Sequence, residues 1–253
     1  MVLGDDLDGL VQAVHTLSDG FFRHGGIIPR WHTSGQGIRA GEIEIPYAKD
    51  MQVVLPEQAL PAKLILNPEL RMSDDEYFEF CMANPDLILE RSARGEILVA
   101  PPAGGESSYR SGEVAGQLGN WAKRDGRGRA SGSSAEFILP TGAALSPDTA
   151  WTSKARLSEL SKNQLRKFPP VCPEFVVEVM SPSDRLKPAI EKMQDWMRSG
   201  VELGWLIDGD AQSVYIFRAG VSEAEKRTGI ATLSGEGPVE GFELDLTDIW
   251  AGL

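Results

Sequence analysis

Two carboxylates and one lysine are the residues of this sequence whose types and spacing could do chemistry together. Glu178 lies inside the apolar run from 175 to 180, Asp148 follows Ser146-Pro147, and Lys192 comes fourteen residues after Glu178. An ionised carboxylate inside an apolar strand is costly unless a cation or a hydrogen-bond donor meets it. Glu178 is therefore either half of a buried ion pair or a metal ligand or catalytic acid/base.

Asp148 is a candidate site residue only in combination with Glu178, because a Pro-Asp pair alone is a common turn. Two carboxylates from neighbouring strands can bind Mg²⁺, which prefers oxygen ligands and keeps several of its waters. A metal held in this way lowers the pKa of a bound water and neutralises charge on a phosphodiester. The pair predicts metal-assisted hydrolysis.

Lys192 lies on the helix that is predicted to follow the Glu178 strand. Its neighbours Met193, Trp196 and Met197 are apolar and are predicted to face the sheet as structural residues. From the edge of that face the lysine could orient an attacking water or stabilise negative charge in the transition state. The alternative is a solvent-exposed helix lysine that pairs with nearby acidic residues.

Several other chemistries are absent from the main part of the chain. His15, His24 and His32 all precede Ser73, which excludes a histidine-dependent triad drawn from the residues after it. The sequence has neither a GxSxG elbow nor a GxxxxGK[ST] loop. Its two cysteines do not form a CxxC pair and are predicted to be buried free thiols. Carboxylate and lysine chemistry is what remains.

The elements that must position these residues begin at Ser73. The predicted order is a capped helix, a hairpin with its turn at 92–95, a helix over about 109–124, a hairpin that ends at Asp148, a long basic loop with a short helix over about 153–160, the buried Glu178 strand, a helix over about 188–198, a hairpin around 209–210, and a closing strand. This alternation predicts a mixed α/β fold, with a central sheet and helices packed on its faces.

The first seventy residues differ from the rest, with a helical pattern over 7–17 and then glycine- and proline-rich sequence. We therefore predict an N-terminal extension of unknown role over residues 1–70 and a main domain over residues 71–253. No run of about 18 apolar residues exists, so a membrane span is not expected. The chain shows no secretory signal, which predicts the cytoplasm as its location.

The distribution of charge in the sequence gives conflicting indications about binding to nucleic acid. The net charge of −12 argues against strong non-specific binding to DNA, because nucleic-acid-binding proteins concentrate Lys and Arg. Two segments, 110–129 and 154–167, are nevertheless rich in cations. They are either solvated faces or a positive rim around an acidic site.

Residues 73–250 resemble the Uma-type family, members of the PD-(D/E)XK restriction-endonuclease-like superfamily. The motifs that carry this resemblance are LILERSARGEILVAPPAGGE, SPDTAW, CPEFVVEVMSPSDRL, EKMQDWMRSGVELGWLID and GFELDLTDIW. The resemblance implies a restriction-endonuclease-like central mixed sheet flanked by helices. It also implies an endonuclease that hydrolyses DNA with Mg²⁺, or alternatively Mn²⁺, and that forms a homodimer.

The same resemblance implies roles for four residues. Asp148 and Glu178 would be metal ligands, Lys192 the active-site lysine, and Glu90 an auxiliary carboxylate near the site. The superfamily's lysine normally stands two residues after the glutamate, where this chain has Met180, so Lys192 is expected to substitute for it. The alternative function is a catalytically inactive protein of nuclease fold that binds nucleic acid or serves in assembly.

Overall fold

Residues 42–45, 61–66 and 71–253 are described by the computed structural model of the protein. The chain divides into two units, Met1–Pro101 and Pro102–Leu253. The helix predicted over 7–17 lies outside the described residues, and the division at residue 70 stays a prediction. Within the described ranges, no helix has the length and apolar character needed to cross a membrane.

The first unit contains a small sheet and a helix. Its elements are β1 (Glu42–Ile45), β2 (Ala62–Leu66), α1 (Asp74–Ala83), β3 (Ile88–Arg91) and β4 (Ile97–Ala100). The strand order is β1-β2-β4-β3, in which β1 and β2 are parallel and the other pairs antiparallel. The predicted capping box is confirmed, because the Ser73 side chain accepts from the Glu76 N–H while the Glu76 carboxylate accepts from the Ser73 N–H. The hairpin of β3 and β4 is confirmed as well.

The second unit contains the candidate site. Its helices are α2 (Gly105–Asp125), α3 (Lys154–Ser158), α4 (Leu186–Arg198) and α5 (Thr247–Ala251). Its strands are β5 (Gly128–Gly132), β6 (Phe137–Ile138), β7 (Ala144–Leu145), β8 (Thr149–Ser153), β9 (Phe175–Val179), β10 (Leu203–Asp208), β11 (Ser213–Arg218), β12 (Glu225–Thr228), β13 (Thr232–Ser234) and β14 (Glu243–Asp245).

The main sheet of this unit is mixed, as the sequence predicted. Its order is β12-β11-β10-β9-β8-β5, and only the β9–β10 pair in it is parallel. Alternate residues of β9 pack in opposite directions. Phe175 and Val177 join the core with Leu118 of α2, whereas Val176 packs with Trp196 of α4. Because helices cover both faces, all five residues of β9 are buried, which explains its continuous apolar pattern.

Among the strands that were not predicted, β5 and β8 change the setting of Asp148. The segment from Asp148 to Pro173, expected to be a loop with one short helix, begins with β8, and this strand pairs with both β5 and β9. Asp148 therefore does not close the preceding hairpin; it immediately precedes a buried strand of the main sheet. The predicted short helix is present as α3. The helix α2 begins four residues before its predicted start at Tyr109.

Candidate functional site

Glu178 is the next-to-last residue of the buried strand β9, and both of its carboxylate oxygens have partners. The Lys192 Nζ lies 3.0 Å from Oε1 and 3.1 Å from Oε2. The indole Nε1 of Trp196 donates to the same Oε1 at 2.8 Å. Burial of an ionised carboxylate is tolerated where a cation and a donor meet it, and Glu178 has both.

Lys192 reaches this carboxylate from the second turn of α4, on the same side of the sheet. A tight turn precedes the helix, where the Ser181 N–H donates to the Asp184 carboxylate at 2.7 Å and the Asp184 N–H donates to the Ser181 carbonyl. The Lys192 ammonium also donates to the Ser146 carbonyl at 2.9 Å. The prediction that Lys192 turns back toward a carboxylate is confirmed, and the solvent-exposed alternative is wrong.

Asp148 lies beside Glu178 because of the strand register. The β8–β9 ladder pairs Thr149 with Val177, so one further step along both strands brings Asp148 opposite Glu178. Directly opposed residues of an antiparallel pair have Cα atoms about 4.5–5.5 Å apart. The Asp148 Oδ2 accepts from the Val179 N–H at 2.8 Å, and its Oδ1 accepts from the Ser111 hydroxyl at 3.0 Å.

The structure brings together three of the four residues that the sequence singled out. Asp148, Glu178 and Lys192 meet at one end of the β8–β9 pair. Glu90 lies on β3 of the first unit, half-buried and opposite Leu98. Its role as an auxiliary carboxylate stays a prediction.

Two further residues support the carboxylates and were missed as site residues. Ser111 stands on α2 with no apolar periodicity to mark it, and only the folded chain reveals that it contacts Asp148. Trp196 was predicted to be purely structural. It is fully buried in the core, as predicted, but its indole N–H also binds Glu178. Its place one turn after Lys192 on the same helix was the available signal, because residues four apart share a helix face.

The donor set at this site fits a hard divalent cation. Among the described residues, no group of three or more His, Cys, Asp or Glu side chains is arranged to hold a metal. A site of two carboxylates fits Mg²⁺ best, because this ion is usually held by one or two carboxylates and completes its shell with waters and substrate oxygens. Within the described part of the chain, neither a cysteine nor a histidine groups with Asp148 and Glu178 to hold a metal, and two carboxylates alone do not fit a structural zinc site.

Comparison with known proteins adds a family and a fold. No curated protein matches the sequence. The structure is similar to the crystal structure of a protein from Anabaena variabilis ATCC 29413 described as a "putative nuclease". The TM-score is 0.57 at 19% identity, and the match covers 71% of this chain and 98% of that chain. At this identity the likeness shows a shared fold, the mixed sheet with flanking helices.

The family comparison covers nearly the whole region that carries the site. The model of the Uma2 family, described as "Putative restriction endonuclease", matches residues 74–247. This range contains Glu90, Asp148, Glu178 and Lys192, together with the two supporting residues Ser111 and Trp196. Because the match extends over more than half of the sequence, the chain belongs to the Uma2 family.

Proposed function

We propose that the protein is a metal-dependent endonuclease that hydrolyses phosphodiester bonds in DNA. The observation that carries this proposal is the meeting of Asp148, Glu178 and Lys192 at one end of the β8–β9 pair, in a chain of the Uma2 family. Asp148 and Glu178 would hold the cation, which we propose to be Mg²⁺, with Mn²⁺ as the alternative. The bound cation would supply an activated water and neutralise charge on the phosphate.

The residues around the carboxylates would keep them in position for this task. Ser111 and the Val179 N–H fix the Asp148 oxygens, and Trp196 fixes one Glu178 oxygen. Preorganised groups of this kind need not be rearranged when the reaction begins. The Lys192 ammonium would stabilise negative charge on the phosphate, and Glu90 is proposed as an auxiliary carboxylate.

Metal binding and cleavage test the proposal directly. Calorimetric titration with Mg²⁺ or Mn²⁺ should detect binding to the wild-type protein, and the protein should cleave plasmid DNA in the presence of either ion. Asp148→Ala should remove both activities. The matched control is Asp195→Ala on α4, because Asp195 pairs with Arg198 on the surface. Failure of the wild-type protein to cleave double- or single-stranded DNA with either ion would contradict the proposal.

The alternative is a non-catalytic protein of nuclease fold that binds nucleic acid or serves in assembly. Its support is the net charge of −12, which is unfavourable for gripping a polyanion over a large surface. The same experiments separate the two functions. DNA binding without cleavage under all metal conditions would favour the alternative.

Two further features belong to the proposal, a homodimeric state and a location in the cytoplasm. Light scattering coupled to size-exclusion chromatography should give a mass twice the 27.5 kDa of one chain. A mass of one chain at micromolar concentration would exclude a stable dimer.

A further inference from the structure

Basic side chains from two separate stretches of the sequence meet where α2 ends and β5 begins. Lys123 and Arg124 are in the last turn of α2, and Arg129 lies on β5. Pairing of β5 with β8 brings in Lys154, because Gly128 is opposite Ser153 and the Lys154 N–H donates to the Arg127 carbonyl at 2.9 Å. We call Lys123, Arg124, Arg127, Arg129 and Lys154 the basic cluster.

The basic cluster has spare positive charge. All five side chains are exposed, and β5 is an edge strand of the sheet. Arg127 pairs with Asp125 and lies over the Trp121 ring. Within the part of the chain that the structure describes, the other four have no ion pair. The Glu240 carbonyl also accepts from Arg127. Glu174, whose carboxylate accepts from the Ser153 N–H beside Lys154, pairs with Arg156. The cluster thus carries several cations in a chain of net charge −12.

Local structure explains only part of the basic cluster. Cations in the last turn of a helix, such as Lys123 and Arg124, interact favourably with its dipole. Lys154 has the opposite placement, since it is the first residue of α3, where acidic residues are favoured, and the first turn of α3 has none. Neither a helix dipole nor an ion pair within the described residues accounts for Arg129 and Lys154.

The distance from the basic cluster to the candidate site follows from the rise per residue of two elements, β8 and α2. Along β8, the six residues from Asp148 to Lys154 span about 20 Å at a rise of about 3.3 Å per residue. Along α2, the thirteen residues from Ser111 to Arg124 also span about 20 Å at about 1.5 Å per residue. Ser111 binds Asp148 and α2 contacts both β5 and β8, so both elements lead from the candidate site to the basic cluster.

We propose that the basic cluster binds the phosphate backbone of the nucleic acid about four to six nucleotides from the phosphate held at Asp148 and Glu178. This proposal rests on the proposed nuclease function and adds to it the footprint of the substrate. Phosphates of one strand are spaced by about 3.4 Å along a duplex, so the distance of about 20 Å to Lys154 corresponds to about six of them. Arg129 is opposite Thr152, about 13 Å from Asp148, which corresponds to about four. Contacts to phosphates set the position of the protein on the duplex without reading its sequence.

The salt dependence of DNA binding tests this proposal without requiring cleavage. The protein used is the full-length Asp148→Ala variant, which keeps every residue of the basic cluster. Its affinity for a labelled duplex of about 24 base pairs is measured by fluorescence anisotropy between about 50 and 200 mM salt, where counterion release controls binding. Removing one phosphate contact should reduce the slope of log K against log salt by about 1.

The test variant adds Arg129→Ala and Lys154→Ala, and the matched control adds Arg198→Ala and Lys226→Ala. Lys226 lies on β12, the opposite edge of the same sheet, and Arg198 ends α4. All four side chains are exposed, so both variants should fold, which circular dichroism verifies. The test variant should lose about 2 units of slope, whereas the control should match its parent.

Each outcome decides the proposal. A reduced slope in the test variant but not in the control supports it. Equal slopes in both variants, with DNA still bound, would overturn the role of the basic cluster and leave the nuclease proposal standing. Absence of any DNA binding would overturn the basic cluster too, while the cleavage assay on the wild-type protein would decide the nuclease proposal separately.

Discussion

At the scale of single residues, Lys192 is the charged member of the candidate site that lies on a helix, whereas Glu178 lies on a strand. The strand β9 contains neither Lys nor Arg and is followed by Met180, so it offers no cation of its own. The ammonium of Lys192 instead reaches both Glu178 oxygens and the Ser146 carbonyl across the sheet face. A long flexible stem makes this possible, because it lies along apolar surface while the charge reaches a polar site.

Lys192→Met should leave the fold and metal binding intact and reduce DNA cleavage by about 100-fold or more. The substitution removes charge stabilisation in the transition state but no proposed metal ligand. Cleavage rates and calorimetric metal titrations on the same preparations provide the measurement. Lys187→Met is the control, because this lysine on α4 has a side chain that is 88% exposed. Wild-type cleavage by the Lys192→Met protein would remove the lysine from the mechanism.

Trp196 has two roles that substitutions can separate. Trp196→Ala should lower the free energy of unfolding by about 3–5 kcal/mol, because it empties a fully buried position. Trp196→Phe keeps most of the ring but removes the N–H that donates to Glu178. A hydrogen bond to a charged group contributes about 1.5–3 kcal/mol, so this variant should lose about that much beyond the loss of ring size.

Trp151→Phe is the matched control for the second effect. Trp151 is also buried, but among the described residues its Nε1 has no hydrogen-bond partner, so the change reduces ring size without breaking a hydrogen bond. Urea denaturation of both variants gives the comparison. If both lose the same stability, the contact between Trp196 and Glu178 contributes nothing to the folded state.

At this scale the sequence indicated which charged residues come together better than it indicated the residues that support them. A carboxylate within an apolar strand is visible in the sequence because its cost must be met by some partner, and this reasoning identified Glu178. Ser111 is different, since a serine on a helix surface has no such cost and only the packing of α2 near Asp148 gives it a role. Supporting residues are hidden in the sequence because their partners lie far away along the chain.

At the scale of elements, the sequences of β5 and β8 show why these two strands of the main sheet were not predicted. The β5 sequence GRASG contains two glycines and a charged residue, which are uncommon in strands. The β8 sequence TAWTS is buried on both faces over its first four residues, so it has no alternating pattern. Strands of this kind are specified by their neighbours, here β9 and one another. The elements α2, α4, β9 and β10 had clear periodicity or continuous apolar runs and were predicted.

The β5–β8 pairing also depends on a glycine, and its replacement gives a test at this scale. A Cβ at Gly128 would lie 2.3 Å from a Trp151 ring carbon and 2.6 Å from the Thr152 carbonyl oxygen. Neither group can move without shifting the strand. Gly128→Ala should therefore lower the free energy of unfolding by about 1–3 kcal/mol, as overpacking does.

Gly132, at the other end of β5, provides the control. A Cβ there meets no atom within 4 Å, so Gly132→Ala should be neutral or slightly stabilising, since Gly costs about 0.5–1 kcal/mol relative to Ala within a strand. Chemical denaturation measures both variants. Equal stability of the two would show that β5 can move away from Trp151 at little cost.

At the scale of the whole molecule, the structure divides the cations that the sequence grouped by segment. Arg110 and Arg156, although they belong to the two cation-rich segments, pair with carboxylates inside the second unit. The remaining cations of the first segment lie with Lys154 in the basic cluster, and Lys154 lies about 20 Å from Asp148 by the rise of β8. The positive rim around the acidic site, one of the two alternatives for these segments, stays a prediction. Linear sequence gives the number of charges in a segment, and the fold alone decides which of them face solvent.

Arg110 connects parts of the second unit that are distant in the sequence. Its buried guanidinium binds Glu106 on the same helix at 2.7 Å, Asp210 in the turn between β10 and β11 at 2.8 Å, and the Ile249 carbonyl of α5 at 3.1 Å. A Cβ at Gly209 would lie 2.5 Å from this guanidinium, so the glycine makes room for it. One side chain therefore ties the C-terminal helix to α2 and to the main sheet.

Arg110→Met keeps the length of the side chain and removes all of its donors, so it tests this connection. Both partner carboxylates are partly exposed and can regain water, and the cost should therefore be about 1–3 kcal/mol rather than that of a fully buried pair. The loss should be concentrated at α5, whose Ile249 carbonyl loses its side-chain donor. Hydrogen exchange should then show that residues 247–251 exchange faster than in the wild-type protein, whereas β9 exchanges at the wild-type rate.

The control is Arg218→Met, which breaks half-exposed pairs with Glu225 and Glu236. It should leave the exchange of α5 unchanged. Wild-type protection of α5 in the Arg110→Met protein would show that its apolar contacts, such as that of the fully buried Ile249, hold the helix in place without the arginine.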